Sequence, residues 1–156
     1  MTASGDATII DHQLRSHPLV RGLSDADIDR LAAHARMAEF EPHEVVFEEG
    51  GVADAFFLIR TGVVALKVMD AGGVRRIESL HEGSALGWSW LFPPFTWQFT
   101  AQAETPVRGI AVDAAALRAE FEADPAFGYR MIARIAEVMA KRLYATRRQV
   151  VNLMGY

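Results

Sequence analysis

The chain has 156 residues, of which 51% are hydrophobic and 23% are charged. This length and composition favour one folded domain with a hydrophobic core and exclude an intrinsically disordered chain. There is no cysteine, which excludes disulfide scaffolds, thiolate metal sites and thiol catalysis. No run approaches the roughly 18 apolar residues of a membrane helix, and no signal peptide is recognisable. We therefore expect a cytoplasmic protein with no membrane partner.

The N-terminal third of the chain predicts a tail, a short helix and then strands. Residues 1–10 lack hydrophobic periodicity and are predicted to be a flexible N-terminal tail, which leaves 11–156 as the folded domain. Ser24 is a favourable helix N-cap, and the helix that follows it is predicted to end near Arg36. From about 38 to 113 the pattern changes to short β-branched and aromatic runs separated by glycine-containing turns. Such a pattern is typical of a sandwich or barrel. The runs cover 44–48, 55–60, 63–69, 74–80, 99–103 and 107–112.

Two helices are predicted after the strands, over about 114–122 and 125–153. Asp124 is suited to cap the second helix, and Pro125 is suited to its first position. Apolar residues along this helix recur every 3.5 residues on average, which is typical of a coiled-coil seam. We expect the seam to form a homodimer interface, with docking back onto the parent domain as the alternative. Its members are Ile132, Ile135, Met139, Leu143, Thr146, Val150 and Leu153.

Charge is distributed unevenly along the chain. The whole chain carries −4, yet the segment from Pro125 to Tyr156 has six basic residues and one acid, Glu137. Such a segment could mark a nucleic-acid interface, but basic residues are also common on the outer face of a C-terminal helix. We favour the second interpretation.

All three tryptophans, Trp88, Trp90 and Trp97, lie within ten residues, in a segment that contains six aromatics over 88–99. Pro93 and Pro94 prevent a continuous helix across this segment. Three interpretations are open: a pocket for a flat or apolar ligand, a core filled by the aromatic rings, or a partner-binding patch. Polar groups available to a ligand would be Ser89, Thr96 and Gln98.

The run EGGVADAFFLIRTGVV over 49–64 resembles the cyclic nucleotide-binding domain family, as found in the sensor half of catabolite-activator and FNR-type regulators. The resemblance covers about 18–150. It implies a mainly β fold with flanking helices: an eight-stranded jelly roll, an N-terminal helix and a long C-terminal dimerisation helix.

The resemblance also places the family's phosphate-binding cassette at 87–98. In the family, a glutamate after a glycine accepts the ribose hydroxyl, and an arginine further on binds the cyclic phosphate. Gly87 matches that glycine, but the glutamate position falls on Trp88, the arginine position on Trp97 and its Ser/Thr neighbour on Gln98. A buried phosphate without a cation costs several kcal/mol, so ordinary cAMP or cGMP binding is disfavoured. The candidate ligand-binding residues are Gly87, Trp88, Ser89, Trp90, Trp97 and Gln98.

Enzymatic alternatives have little support in the sequence. A cupin-like metal enzyme would need two histidines separated by one residue, and His43-Glu44-Val45 lacks the second. No GxGxxG or Walker A loop is present, and we expect no catalytic residue, no metal site and no fixed cofactor. Haem would have to use one of the five histidines, His12, His17, His34, His43 and His81.

These observations together predict a non-catalytic ligand-sensing or regulatory module that forms a homodimer and has a small-molecule or protein partner. The helix-turn-helix module of the regulators would follow the long helix, and 156 residues leave no room for it, so we expect no specific DNA binding. The alternative function is a degenerate, ligand-free homodimeric interaction protein. A cupin-like metal enzyme is a distant third.

Overall fold

The computed structural model describes residues 3–155, so Met1 and Thr2 of the predicted tail, and Tyr156, lie outside the described residues. Two compact units are present, one up to Ala119 and one from Glu120 onward. The strands are β1 Ala35–Phe40, β2 Val45–Phe47, β3 Ala55–Thr61, β4 Val64–Asp70, β5 Gly73–Leu80, β6 Ala85–Leu86, β7 Thr100–Ala103 and β8 Val107–Asp113. The α-helices of the described residues are α1 Ala3–Arg15, α2 Asp25–Ala32, α3 Ala114–Ala123 and α4 Pro125–Leu153.

The strands form two four-stranded antiparallel sheets, in the orders β1-β8-β3-β6 and β2-β7-β4-β5. This arrangement is the predicted eight-stranded jelly roll. Strands β1 and β6 are not among the six strand runs of the sequence. Strand β1 pairs with β8 from Ala35↔Val112 to Phe40↔Val107, and α2 ends at Ala32 instead of near Arg36.

The N-terminal segment differs from the predicted tail, because α1 is helical from Ala3 to Arg15. Leu14 near its end is completely buried, and Arg15 donates hydrogen bonds to Asp25 at 2.8 Å and Asp29 at 2.6 Å. These contacts join α1 to α2. Most side chains over 6–12 are exposed, so the helix leaves little hydrophobic periodicity in the sequence.

His17 lies between α1 and α2 and is only 2% exposed. Its Nδ1 accepts a hydrogen bond from the Leu19 backbone N–H at 3.1 Å, which caps the 3-10 helix Pro18–Val20. Burial lowers the pKa of the His17 imidazole from its ordinary value of 6.5 to about 4, and the neighbouring Ser84 and Ile59 backbone offsets only part of this effect. The ring is therefore neutral at pH 7.

The C-terminal unit is dominated by α4, whose 29 residues span about 43 Å. Asp124 caps it by accepting a hydrogen bond from the Phe127 N–H at 3.2 Å. A Cβ on Gly128 would lie 3.0 Å from the Phe121 Cβ, so glycine permits the close approach of the two helices here. The Phe121 and Phe127 rings pack edge to face with centroids 5.7 Å apart.

Candidate functional site

The cassette segment, residues 87–98, connects β6 to β7 and is attached to the turn after β2 by its backbone. The Trp97 N–H donates to the Gly51 carbonyl at 2.8 Å, and the Gly50 N–H donates to the Trp97 carbonyl at 2.8 Å. A third hydrogen bond runs from the Ala53 N–H to the Phe95 carbonyl, also at 2.8 Å. The position of Trp97 is therefore fixed by backbone pairing as well as by side-chain packing.

The Trp97 side chain lies in the interior of the roll and is 3% exposed. Its ring stacks on Phe47 with centroids 3.8 Å apart and planes 10° apart, and it is tilted against Phe57 at 6.4 Å. Gly87 has φ +85°, and a Cβ there would lie 2.5 Å from Trp97 Cζ3. Glycine at 87 is therefore required both by its backbone conformation and by the indole ring beside it.

Little space remains beside the Trp97 ring. The cavity there measures about 10 Å³, which is about what one water molecule needs. Small-molecule pockets occupy roughly 300–1,000 Å³. The space beside the Trp97 ring is therefore much smaller than such a pocket. The cavity is lined by Phe47, Leu66, Gly87, Trp88, Ser89, Trp97 and Phe99.

The other predicted ligand-binding residues divide into two groups. Trp88 and Ser89 are half-buried and line the same small cavity as Trp97. Trp90 is fully buried elsewhere, with its ring 5.1 Å from that of Phe56. Gln98 is exposed and donates to the Thr96 carbonyl at 3.1 Å. The structure thus brings together Gly87, Trp88, Ser89 and Trp97, and it places Trp90 and Gln98 outside this group.

Arg118 on α3 was not among the candidate residues, although it contacts the cassette segment twice. Its guanidinium donates to the Trp90 carbonyl at 2.8 Å and lies 4.3 Å from the centroid of the Phe95 ring. The cation–π contact adds to the hydrogen bond. Arg118 follows Trp90 by 28 residues and belongs to no motif, so this contact is not predictable from sequence patterns. Arg118 fastens the cassette segment to α3.

The predicted seam residues of α4 differ in exposure. Ile132 is 46% exposed, Leu143 50%, Val150 50% and Leu153 88%, whereas Met139 is half-buried. Ile135 is only 3% exposed in the single chain, so it is not available to a partner. This is a correction to the predicted seam. Thr146 is exposed, and its hydroxyl donates to the Arg142 carbonyl at 3.0 Å.

Neither a metal-ligand cluster nor a membrane-spanning helix occurs within residues 3–155. No three His, Asp or Glu side chains in this range converge where they could hold a metal ion. In the same range, no helix is both long enough and apolar enough to span a bilayer.

The fold and the sequence together identify the family. Residues 37–124 match the family described as cyclic nucleotide-binding domain. This match covers more than half of the chain, and the chain therefore belongs to the cyclic nucleotide-binding domain family. Domains of this family are typically non-catalytic. None of the curated proteins compared with the sequence matches it.

Solved structures share the fold. A protein of Geobacter metallireducens that is described as cyclic nucleotide-binding is 26% identical, with a TM-score of 0.78 over 85% of this chain and 97% of its own. A cyclic nucleotide-binding domain from Methylobacillus flagellatus has a TM-score of 0.78 at 16% identity and covers 96% of this chain and 85% of its own. The sensor domain of the transcriptional regulator DNR from Pseudomonas aeruginosa has a TM-score of 0.69 at 19% identity, over 88% and 93%.

Proposed function

We propose that this chain is a non-catalytic, homodimeric regulatory module that does not take up cAMP or cGMP in the ordinary way. The observation that carries the proposal is the stack of Trp97 on Phe47 inside the roll, with ring centroids 3.8 Å apart. The indole occupies the interior beside Gly87 and leaves a cavity of about 10 Å³. In this proposal the roll is a rigid, self-filled body.

Electrostatics supports the same function. The cassette segment contains no lysine or arginine, so it offers no cation to a cyclic phosphate. Arg118, the cation that contacts the segment, already donates to the Trp90 carbonyl and stacks on Phe95. A buried phosphate without a cationic partner is unfavourable by several kcal/mol.

The exposure of α4 supports the homodimer. Within 141–155 every residue is exposed except Arg142, which is half-buried. An isolated helical stretch of this length is marginal in water, so the exposed half of α4 needs a partner. Ile135 is buried, so we assign its place in the seam to the next residue, Ala136, which is exposed. The spacing between successive seam residues then alternates strictly between four and three, which is a heptad repeat. The revised seam is Ile132, Ala136, Met139, Leu143, Thr146, Val150 and Leu153.

Titration calorimetry and thermal shift with cAMP and cGMP test the nucleotide part of the proposal. A ligand at 100 times its Kd stabilises a folded protein by about 2.7 kcal/mol, so even weak binding would raise Tm. We expect no heat and no shift with the native chain. A Trp88→Glu/Trp97→Arg variant restores the family's charged positions and should gain nucleotide affinity if it folds. Micromolar binding of either nucleotide by the native chain would overturn the proposal.

A second candidate function is sensing of a flat, apolar ligand. It is favoured by Trp88 and Ser89, which are half-exposed and line the small cavity beside Trp97. The ligand would have to displace the Trp97 ring to gain sufficient volume. Indole is a suitable probe: a rise in Tm of the native chain with millimolar indole would favour this function over a permanently filled roll.

A further inference from the structure

A groove of about 630 Å³ lies between the β4–β5 hairpin and the turn that follows β2. Its apolar part includes Met69 and Val74, which are 71% and 65% exposed. Glu48 and Glu49 line the groove and are exposed as well. The single chain therefore leaves uncovered a concave surface that combines apolar side chains with two carboxylates.

One cation also lines this groove. Lys67 is half-buried, and its ammonium donates to the Gln102 side-chain carbonyl at 2.5 Å. Gln102 in turn donates to the His43 carbonyl at 2.7 Å, so the Lys67 head group is held on the sheet. Two carboxylates against one ammonium give the groove a net negative charge. A basic surface with some apolar side chains would complement it.

A surface of this kind lies on the distal half of α4. Tyr144, Arg147, Arg148 and Val151 are spaced i, i+3, i+4 and i+7, which places them on one face of the helix. All four are exposed, Tyr144 at 61% and Val151 at 45%. We call this stripe the basic face. No acidic residue occurs anywhere in 138–155 to neutralise it.

In the proposed dimer, arginines that flank the seam would repel one another, because this part of α4 has no acidic residue to neutralise them. With Leu143 and Val150 at position a of the heptad, Arg142 falls at g and Arg147 at e. In a parallel pair of helices, g of one helix lies beside e of the other. Two arginines would then meet on each flank, and like charges so placed are destabilising. Carboxylates from another surface of the dimer would relieve this repulsion.

We propose that the groove binds the basic face of α4 from a second copy of the chain. Glu48 and Glu49 pair with Arg147 and Arg148 of the partner subunit, and Met69 and Val74 cover apolar atoms of the same face. The inference rests on the proposed homodimer and extends its interface from the helix seam to the roll. Two-fold symmetry makes the contact occur twice in each dimer.

Charge reversal tests this contact. A groove variant carries Glu48→Lys/Glu49→Lys, and a helix variant carries Arg147→Glu/Arg148→Glu. Each alone places like charges together at both contacts, so we expect its homodimer Kd to rise about tenfold or more at low salt. In an equimolar mixture, every groove of a heterodimer meets a helix of opposite charge. Native mass spectrometry should therefore show the heterodimer well above half of all dimers.

The outcomes are separable. A monomeric native chain overturns the proposed homodimer itself. A dimeric native chain whose two variants mix statistically overturns the groove contact alone. A third outcome also overturns the groove contact between subunits: native dimer affinity returns in a chain that carries all four substitutions, but not in the mixture of the two variants. The charges would then pair within one chain. Glu82→Lys, an exposed charge reversal away from the groove, is the matched control and should leave Kd unchanged.

Discussion

The ring of Trp97 lies parallel to that of Phe47, with centroids 3.8 Å apart and planes 10° apart, in the interior of the roll. Gly87 borders the indole on another side, where a Cβ would approach to 2.5 Å. Phe47 in β2 thus forms one packing unit with Gly87 and Trp97, which lie at the two ends of the distant cassette segment. The stability of the roll should depend on them jointly.

Replacing Trp97 by alanine should destabilise the protein by about 3–5 kcal/mol, because a buried indole is lost and a cavity remains. Urea unfolding measures the loss. The cavity would be apolar, and indole should restore part of the stability of Trp97→Ala, as apolar ligands fill engineered apolar cavities. Trp88→Ala is the matched control. Trp88 is only half-buried, so its loss should lower the free energy of unfolding by less than the loss of Trp97.

Gly87→Ala provides an independent check of the same packing. In the native background it should cost about 1–3 kcal/mol, from overpacking against the indole together with the strain of φ +85°. In the Trp97→Ala background only the backbone strain should remain. A double-mutant cycle showing equal costs in the two backgrounds would contradict the close contact.

Arg118→Ala should loosen the cassette segment and cost about 2 kcal/mol, because a charged hydrogen bond to the Trp90 carbonyl and the stack on Phe95 are lost together. Hydrogen exchange should accelerate over 88–96. Arg118→Lys should be intermediate, because lysine keeps the charge without the planar guanidinium. Arg108→Ala, on the surface, should leave exchange in the segment unchanged; equal acceleration by both would refute the positioning role.

Acid should destabilise the fold through His17. Its pKa is about 4 when folded and near 6.5 when unfolded, so between these values the unfolded chain binds a proton that the folded chain does not. Stability conferred by the neutral ring is fully present above pH 6.5 and is lost as pH falls towards 4. The loss amounts to about 3 kcal/mol.

His17→Gln removes the titrating group and should flatten the dependence of the unfolding free energy on pH between 6.5 and 4. Absolute stability at pH 7 should fall, because the cap on Leu19 is disturbed. His81→Gln makes the same substitution at an exposed histidine and is the control, because it leaves the His17 ring buried. An unchanged slope in His17→Gln would assign the acid sensitivity to other groups.

Leu143→Glu should convert the homodimer to a monomer, because it places a carboxylate in the centre of the proposed seam. Light scattering at micromolar concentration measures the change. Ala145→Glu adds the same charge two residues away at a position facing out of the seam and should remain dimeric. Dimers of Leu143→Glu as tight as the native ones would show that the seam is misplaced.

Much of the fold was predictable because local patterns carry it. Glycine-containing turns separate alternating runs, and Asp124-Pro125 precedes a long apolar repeat, so both the roll and the long helix follow from the sequence. Helix α1 could not be predicted in this way. It is attached to the domain by the buried side chain of Leu14 and by ion pairs of Arg15 with Asp25 and Asp29, and these contacts leave no periodic pattern in the sequence. Strand β6 has only two residues and is too short to show a period.

The candidate site was predicted only in part. The alignment of the cassette segment singled out Gly87 and Trp97, which the structure places in contact. It could not show that Trp90 faces Phe56 instead, because the direction of each ring depends on a 3-10 turn at Ser89–Leu91. Nor could it reveal Arg118, whose partners are created by folding.

Residue type and spacing alone were enough to predict the family, six of the eight strands and the long C-terminal helix, and they show that no lysine or arginine lies between Arg76 and Arg108. Tertiary structure decided that the Trp97 ring lies inside the roll. It also decided that Ile135 is buried in the single chain while Leu143 is exposed. Both facts depend on which surfaces meet in three dimensions, and one-dimensional periodicity does not distinguish a core position from an interface position.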